Sequence, residues 1–259
     1  MPTYQEWIRE IDINIDYFSA FIKAWIAFNA WYRHEYPALH QDRRVIEEIK
    51  NNSNHFKGNI ERLLDSHNEQ EDAIRFKDDL KKLQQALTNT PITTQERGKV
   101  QQQISFSEIA ITNPKLLVDE DYRTTHYRIH REGSRVTTRI YKKANLADVL
   151  FEYIQENYDE LDFEAHVIAE AKLSQQQQAQ GQAFYKQICP YMTETILTRD
   201  SENNTVFIEE RSKVSRGIIE VLYLLRCSLM HGEVSPNNHT NEVYKYAYNI
   251  LAAVLKRLA

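Results

Sequence analysis

The feature that most narrows the fold is a scarcity: six glycines and six prolines in 259 residues. Both residue types stop helices and build tight turns. With so few of them, long uninterrupted helices have room, and the composition predicts an all-α fold. A chain of this length buries a sizeable core as one domain or, less comfortably, as two. Hydrophobic residues at 42% and charged residues at 27% fit a soluble globular chain. No run reaches the roughly 18 apolar residues of a membrane span. The N-terminal "MPTYQEWIREIDINID" carries acids where a secretory leader has a cationic and then an apolar stretch. A cytoplasmic protein with no membrane partner is therefore expected. Cys189 and Cys227 lack metal or redox spacing and are expected to be reduced.

Apolar spacing sets the helices. Trp7, Ile11, Ile15, Phe18, Ile22 and Trp25 follow steps of three and four, predicting a first helix over 3–36 that Pro37 stops. Its stretch "FIKAWIAFNAW" is apolar almost all round, which predicts burial on several sides. Asn29 stands where the stripe's next apolar residue belongs, as a buried structural amide or as a member of a site. Shorter helices are expected near 41–51, 55–67 and 69–88, and a polar one near 95–104 with Thr94 as its cap. Helices are expected again from Asn145 and through 161–180, then at 208–231 and 240–258. The last has Val243, Ala247, Ile250, Val254 and Leu258 on one stripe and Thr240 as a candidate cap.

One segment breaks the helical pattern. Residues 122–143 hold seven Lys or Arg against one acid, Glu132, in a chain whose net charge is −5. Folding it around Gly133-Ser134 as a hairpin with a type II′ turn sets the register. Tyr127 then faces Ile140, Ile129 faces Thr138 and Arg131 lies across from Val136. On the other face His126 meets Tyr141, His130 meets Thr137 and Arg128 meets Arg139. Opposed arginines cost stability unless an anion or an acid relieves them. The segment can be read in two ways, as an amphipathic hairpin with splayed arginines or as a platform for an RNA backbone. In the second, Arg128, Arg135, Arg139 and Lys142 bind phosphate, with Tyr141 and Tyr122 available to stack.

The stretch "LYLLRCSLMHGE" places Arg226 and His231 at the end of a core-like helix, just before Gly232, a good left-handed stop. No dinucleotide fingerprint, phosphate loop or HExxH occurs in the chain, and no metal ligand set or cofactor is expected. An Arg, four residues, then His-Gly on the penultimate helix resembles the R-x4-6-H signature of the HEPN superfamily (higher eukaryotes and prokaryotes nucleotide-binding). The first helix, with "WIAFNAWY", also resembles bacterial HEPN proteins.

That resemblance implies a single HEPN-like antiparallel helical bundle over 1–259. Its core helices lie near 3–36, 208–231 and 240–258, and a hairpin and helix segment is inserted at about 119–180. It implies a metal-independent endoribonuclease with Arg226 as electrostatic clamp and His231 as general acid or base. Asn29, Cys227 and Ser228 are supporting candidates. The residue after the arginine is commonly polar in the family and here is Cys227, a weak donor. The resemblance further implies RNA as substrate, a homodimer and a toxin or antiviral defence role with an antitoxin or defence-system partner. The alternatives are a non-catalytic HEPN-like RNA-binding or protein-interaction module and a plain structural helical protein with no link to RNA, in which His231 suits the helix C-terminal dipole and Arg226 snorkels past apolar neighbours.

Overall fold

The computed structural model describes residues 16–94 and 102–258. The chain begins with α1 (Tyr17–Glu35), α2 (Asp42–Asn51), α3 (His55–Leu63) and α4 (Glu71–Asn89). A small antiparallel ladder comes next, β1 (Thr93–Thr94) with β2 (Gln102–Gln103). After it run β3 (Ile109–Thr112), β4 (Leu117–Tyr122), β5 (Thr125–Glu132), β6 (Arg135–Lys142) and β7 (Asn145–Gln155). The helices α5 (Glu160–Ala169) and α6 (Gln175–Gln187) lead to β8 (Tyr191–Glu194), which pairs with β3. A short hairpin, β9 (Leu197–Arg199) with β10 (Thr205–Phe207), precedes α7 (Arg211–Met230) and α8 (Asn238–Leu255). The fold is therefore mixed α/β, and the all-α expectation fails. The chain forms two compact units, Met1–Ile109 with Glu194–Ala259, and Ala110–Thr193.

The first unit is mainly helical. Asp16 opens α1 by accepting the backbone N–H groups of Phe18 at 3.0 Å and Ser19 at 3.2 Å. The helix ends at Tyr36, just before Pro37. The part of the expected helix before Asp16 lies outside the described residues. Phe21 packs on Tyr244 of α8 and Phe28 stacks on Phe56 of α3 at 4.3 Å. Burial is one-sided, however: Ile26 is 62% exposed, and Ala27 and Ala30 are exposed beside it. The all-round burial expected for this stretch does not occur. On α8 the stripe Val243, Ala247, Ile250 and Val254 is buried as its spacing predicts. Its cap is Asn237, and Thr240 closes the box from the third helical position.

A carboxylate sits in the middle of the greasy helix. Glu220 of α7 is buried, yet Lys50 reaches it at 2.6 Å and Arg43 at 2.7 Å, both from α2. Glu47 adds a second acid, 3.1 Å from Lys50 and 2.7 Å from Arg43. Burying these charges is tolerable because each one meets an opposite charge at hydrogen-bond distance.

The second unit is a meander, β4-β5-β6-β7, with α5 and α6 on one face. The covered face is Val118, Tyr127, Ile129, Val136, Ile140 and Phe151, packed against Phe163, Val167, Phe184 and Tyr185. The β5–β6 register is the one expected, from His126↔Tyr141 through Arg128↔Arg139 to Arg131↔Val136. Gly133 has φ +62°, as the first position of a type II′ turn requires. Arg131 falls on the covered face and gives its protons to the carbonyls of Ile188 and Asn113, each at 2.9 Å.

Three further expectations are corrected. The helix predicted from Asn145 is β7: a bulge opposite Ile140 and Tyr141 turns both Leu150 and Phe151 inward. Adjacent buried residues mimic a helical stripe, and pairing with β6 decides the outcome. The helix predicted over 161–180 is broken at 170–174, where Ser174 caps a new helix with Gln177. Of the helix predicted at 95–104, residues 95–101 lie outside the described residues. Gln102–Gln103 is strand, paired to Thr93–Thr94, so the end of the expected helix is extended chain.

Replacing Lys50 by methionine leaves Glu220 buried with one partner fewer. Lys50→Met is expected to cost about 3 kcal/mol, read as a lower urea midpoint. Lys82→Met, which removes an exposed ion pair with Asp78, should leave the midpoint unmoved.

Candidate active site

The end of α7 is fixed by its own backbone. The N–H groups of His231, Gly232 and Glu233 bond the carbonyls of Cys227, Leu229 and Ser228 at 3.0, 3.1 and 2.9 Å. Gly232 takes φ +68°, completing a Schellman stop of the kind the sequence suggests. The hydroxyl of Tyr244 gives a further bond to the Leu225 carbonyl at 2.8 Å. His231 is thus the C-cap of α7, backbone-fixed and exposed. Its imidazole makes no hydrogen bond or ion pair among the described residues.

Arg226 lies one turn earlier with a half-buried side chain. Its Nη2 reaches Asp42 Oδ2 at 3.3 Å, and its Nη1 comes only within 3.9 Å of the Cys227 sulfur. The other oxygen of Asp42 takes the shorter bond, 2.6 Å from Arg33. Arg33 is itself steadied by the carbonyls of Leu39 and His40. The guanidinium of Arg226 is therefore oriented but not saturated, and donors remain for an anion.

Tyr32 completes the group. Its hydroxyl is buried beside Asp42 and Arg226 without a hydrogen bond of good geometry. Burial, and then the Asp42 charge, push its pKa from 10.0 up to about 12, while Arg33 and Arg226 pull the other way. Asp42, Tyr32 and Arg33 were not legible as site residues. They come from α1 and α2, so no local spacing with Arg226 marks them.

The other candidates divide. Asn29 shares a helical face with Trp25, whose ring meets Tyr223 of α7, and with Tyr32. It is half-buried, and its amide makes no hydrogen bond among the described residues. Cys227 is buried, so it adds no polar group at an open surface. Ser228 is fully buried and gives its proton to the Thr93 carbonyl at 3.0 Å, which makes it a structural tie.

The proposed RNA-binding residues belong to the second unit, where the outer strands answer their charge. Arg139 bonds Glu152 at 2.7 Å and Lys142 bonds Asp148 at 2.6 Å. Arg128 lies 3.7 Å from Asp119, and Arg135 lies 3.7 Å from Glu156. Tyr141 is half-buried beside His126, which itself lies 2.9 Å from both Asp119 and Asp121. The opposed arginines are thus relieved by acids of the protein. Across 117–155 seven Lys or Arg face six Asp or Glu, leaving a net +1.

Comparison with family models, with curated proteins and with solved structures returned no match. Among the described residues no helix is long and apolar enough to cross a membrane, and no group of three or more His, Cys, Asp or Glu could hold a metal ion.

The raised Tyr32 pKa has a testable sign. Above pH 10 the unfolded tyrosine ionises while the folded one does not, so stability falls until the folded value near 12 is passed. Tyr32→Phe removes this term, and about 2–3 kcal/mol of alkaline destabilisation should disappear between pH 10 and 12. At pH 7 the same variant should match or exceed the wild type in urea unfolding, because an unbonded buried hydroxyl is gone.

Proposed function

We propose that the protein is a metal-independent endoribonuclease, with Arg226 and His231 acting on an RNA phosphodiester. One observation carries this reading. A backbone-fixed, solvent-open imidazole stands at the same helix end as a guanidinium that is held in place yet keeps donors to spare.

The chemistry needs three things. A base takes the 2′-OH proton as O2′ bonds to phosphorus. A cation holds the charge that gathers on the phosphate oxygens. An acid gives a proton to O5′ as the P–O5′ bond breaks. The products are a 2′,3′-cyclic phosphate and a 5′-hydroxyl. An imidazole can serve as base or acid, and a guanidinium binds phosphate with two donors. One imidazole cannot fill both proton roles within a single step. Five residues also separate the pair by about 140° around a regular helix. A homodimer that brings two such helix ends together answers both problems, and it is part of the proposal. A toxin or antiviral role, with an antitoxin or defence partner, extends the same resemblance.

A second reading has an observation of its own. Cys227 is buried where the family commonly has a polar residue, and Asp42 already engages Arg226. Both features suit a non-catalytic RNA-binding or protein-interaction module.

Single-stranded RNA incubated with the purified protein in EDTA separates the two. Cleavage to cyclic-phosphate ends is expected, falling at least about 100-fold in His231→Ala and Arg226→Ala. Binding without cleavage would establish the second reading. Cleavage unchanged in both variants would remove this site from consideration.

A further inference from the structure

At the opposite end of α7 from His231, the first unit holds a cleft of about 560 Å³. It lies between the α3–α4 connection, α4, the β10 segment and the first turn of α7. Arg211 and Val214, which line it, are roughly 20 Å along the helix axis from Arg226. The cleft is thus separate from the candidate active site and independent of the nuclease reading. Its volume falls in the range of small-molecule sites, which combine apolar walls with a few placed polar groups.

The walls fit that description. Leu64, Leu80, Val206, Phe207 and Val214 supply apolar surface. Phe207 is half-buried and braced edge-on by the buried Phe106 at 5.1 Å, so its ring is a rigid wall.

The polar groups favour an anion. Arg211 is committed to Asp65 at 2.8 Å. The ammonium of Lys77 gives two of its three protons to the carbonyls of Asp65 and Asn68, each at 3.0 Å, and keeps one. Lys81 also lines the cleft, is exposed, and makes no hydrogen bond or ion pair among the described residues. The acids at the cleft are Asp65, already paired, and the exposed Glu209. Asp200, outside the lining, is near enough to Lys81 to feel its charge. Among the residues that line the cleft, two lysines with protons to spare stand against one unpaired carboxylate, Glu209.

The geometry points to a binding site for a small aromatic acid, its ring against Phe207 and the aliphatic walls, its carboxylate toward Lys77 and Lys81. Isothermal titration calorimetry with 1-naphthoate, against the uncharged 1-naphthalenemethanol, tests it. One saturable naphthoate site is expected, with the alcohol at least about tenfold weaker. Lys81→Glu, an exposed change that leaves the fold intact, should weaken naphthoate about tenfold. Gln84→Trp, which places an indole at the wall of the cleft, should abolish binding while circular dichroism stays that of the wild type. Three results would each overturn the assignment: absence of saturable binding, equal affinity for the alcohol, or naphthoate binding that neither substitution alters.

Discussion

A carboxylate with almost no access to water sets the position of α7. Glu220 lies in the apolar run of the longest described helix, and leaving it unpaired there would cost several kcal/mol. Its partners, Arg43 and Lys50, both come from α2. Apolar side chains can slide past one another at small cost, whereas these contacts at 2.6 and 2.7 Å cannot. The two helices are held in one register, and the neighbouring residues on each are fixed with it. Asp42 precedes Arg43 in the first turn of α2, and Arg226 lies under two turns beyond Glu220 on α7. The contact between Asp42 and Arg226 is a consequence of the buried network beside it.

What a cation can do depends on how far its neighbours have already satisfied it. On the sheet of the second unit, Arg139 and Lys142 are each closed by a carboxylate at 2.7 Å or less. A phosphate would have to displace those acids for little gain in charge. At the end of α7 the balance differs, because Arg33 holds the nearer oxygen of Asp42 and leaves Arg226 the longer contact. A single acid shared by two arginines leaves local positive charge unspent. For this reason the candidate chemistry is placed on the helical unit and not on the segment with the most basic sequence.

Much of the local structure was legible and much of the architecture was not, for one reason. The stop at Gly232, the α8 stripe and the Gly133-Ser134 hairpin depend on neighbours within a few residues, and each took the form its sequence suggests. The sheet around the hairpin depends on distant pairing. Glycine scarcity misled because the meander needs little glycine. Of its three tight turns only one uses it, and Arg123 itself adopts φ +56° between β4 and β5. The strand β7 was read as helix because its bulge buries two adjacent residues, a spacing that period alone cannot separate from a helix. Asp42 was invisible as a site residue, since its distance from Arg226 in the chain holds no periodicity to read.

Both ends of α7 obey one physical rule. Its C-terminal end is locked by the backbone stop and by the Tyr244 hydroxyl, and its N-terminal end by Arg211 on Asp65 and Lys213 on Glu194. Locking the backbone removes the entropy that a ligand would otherwise have to quench. Leaving some donors unpaired preserves the electrostatic reward for binding an anion. Groups that are fixed but unsatisfied meet both conditions together, as His231 and Arg226 do at one end and Lys77 does at the other. A cation that is fixed and already saturated, such as Arg131 beneath the sheet, serves the fold alone.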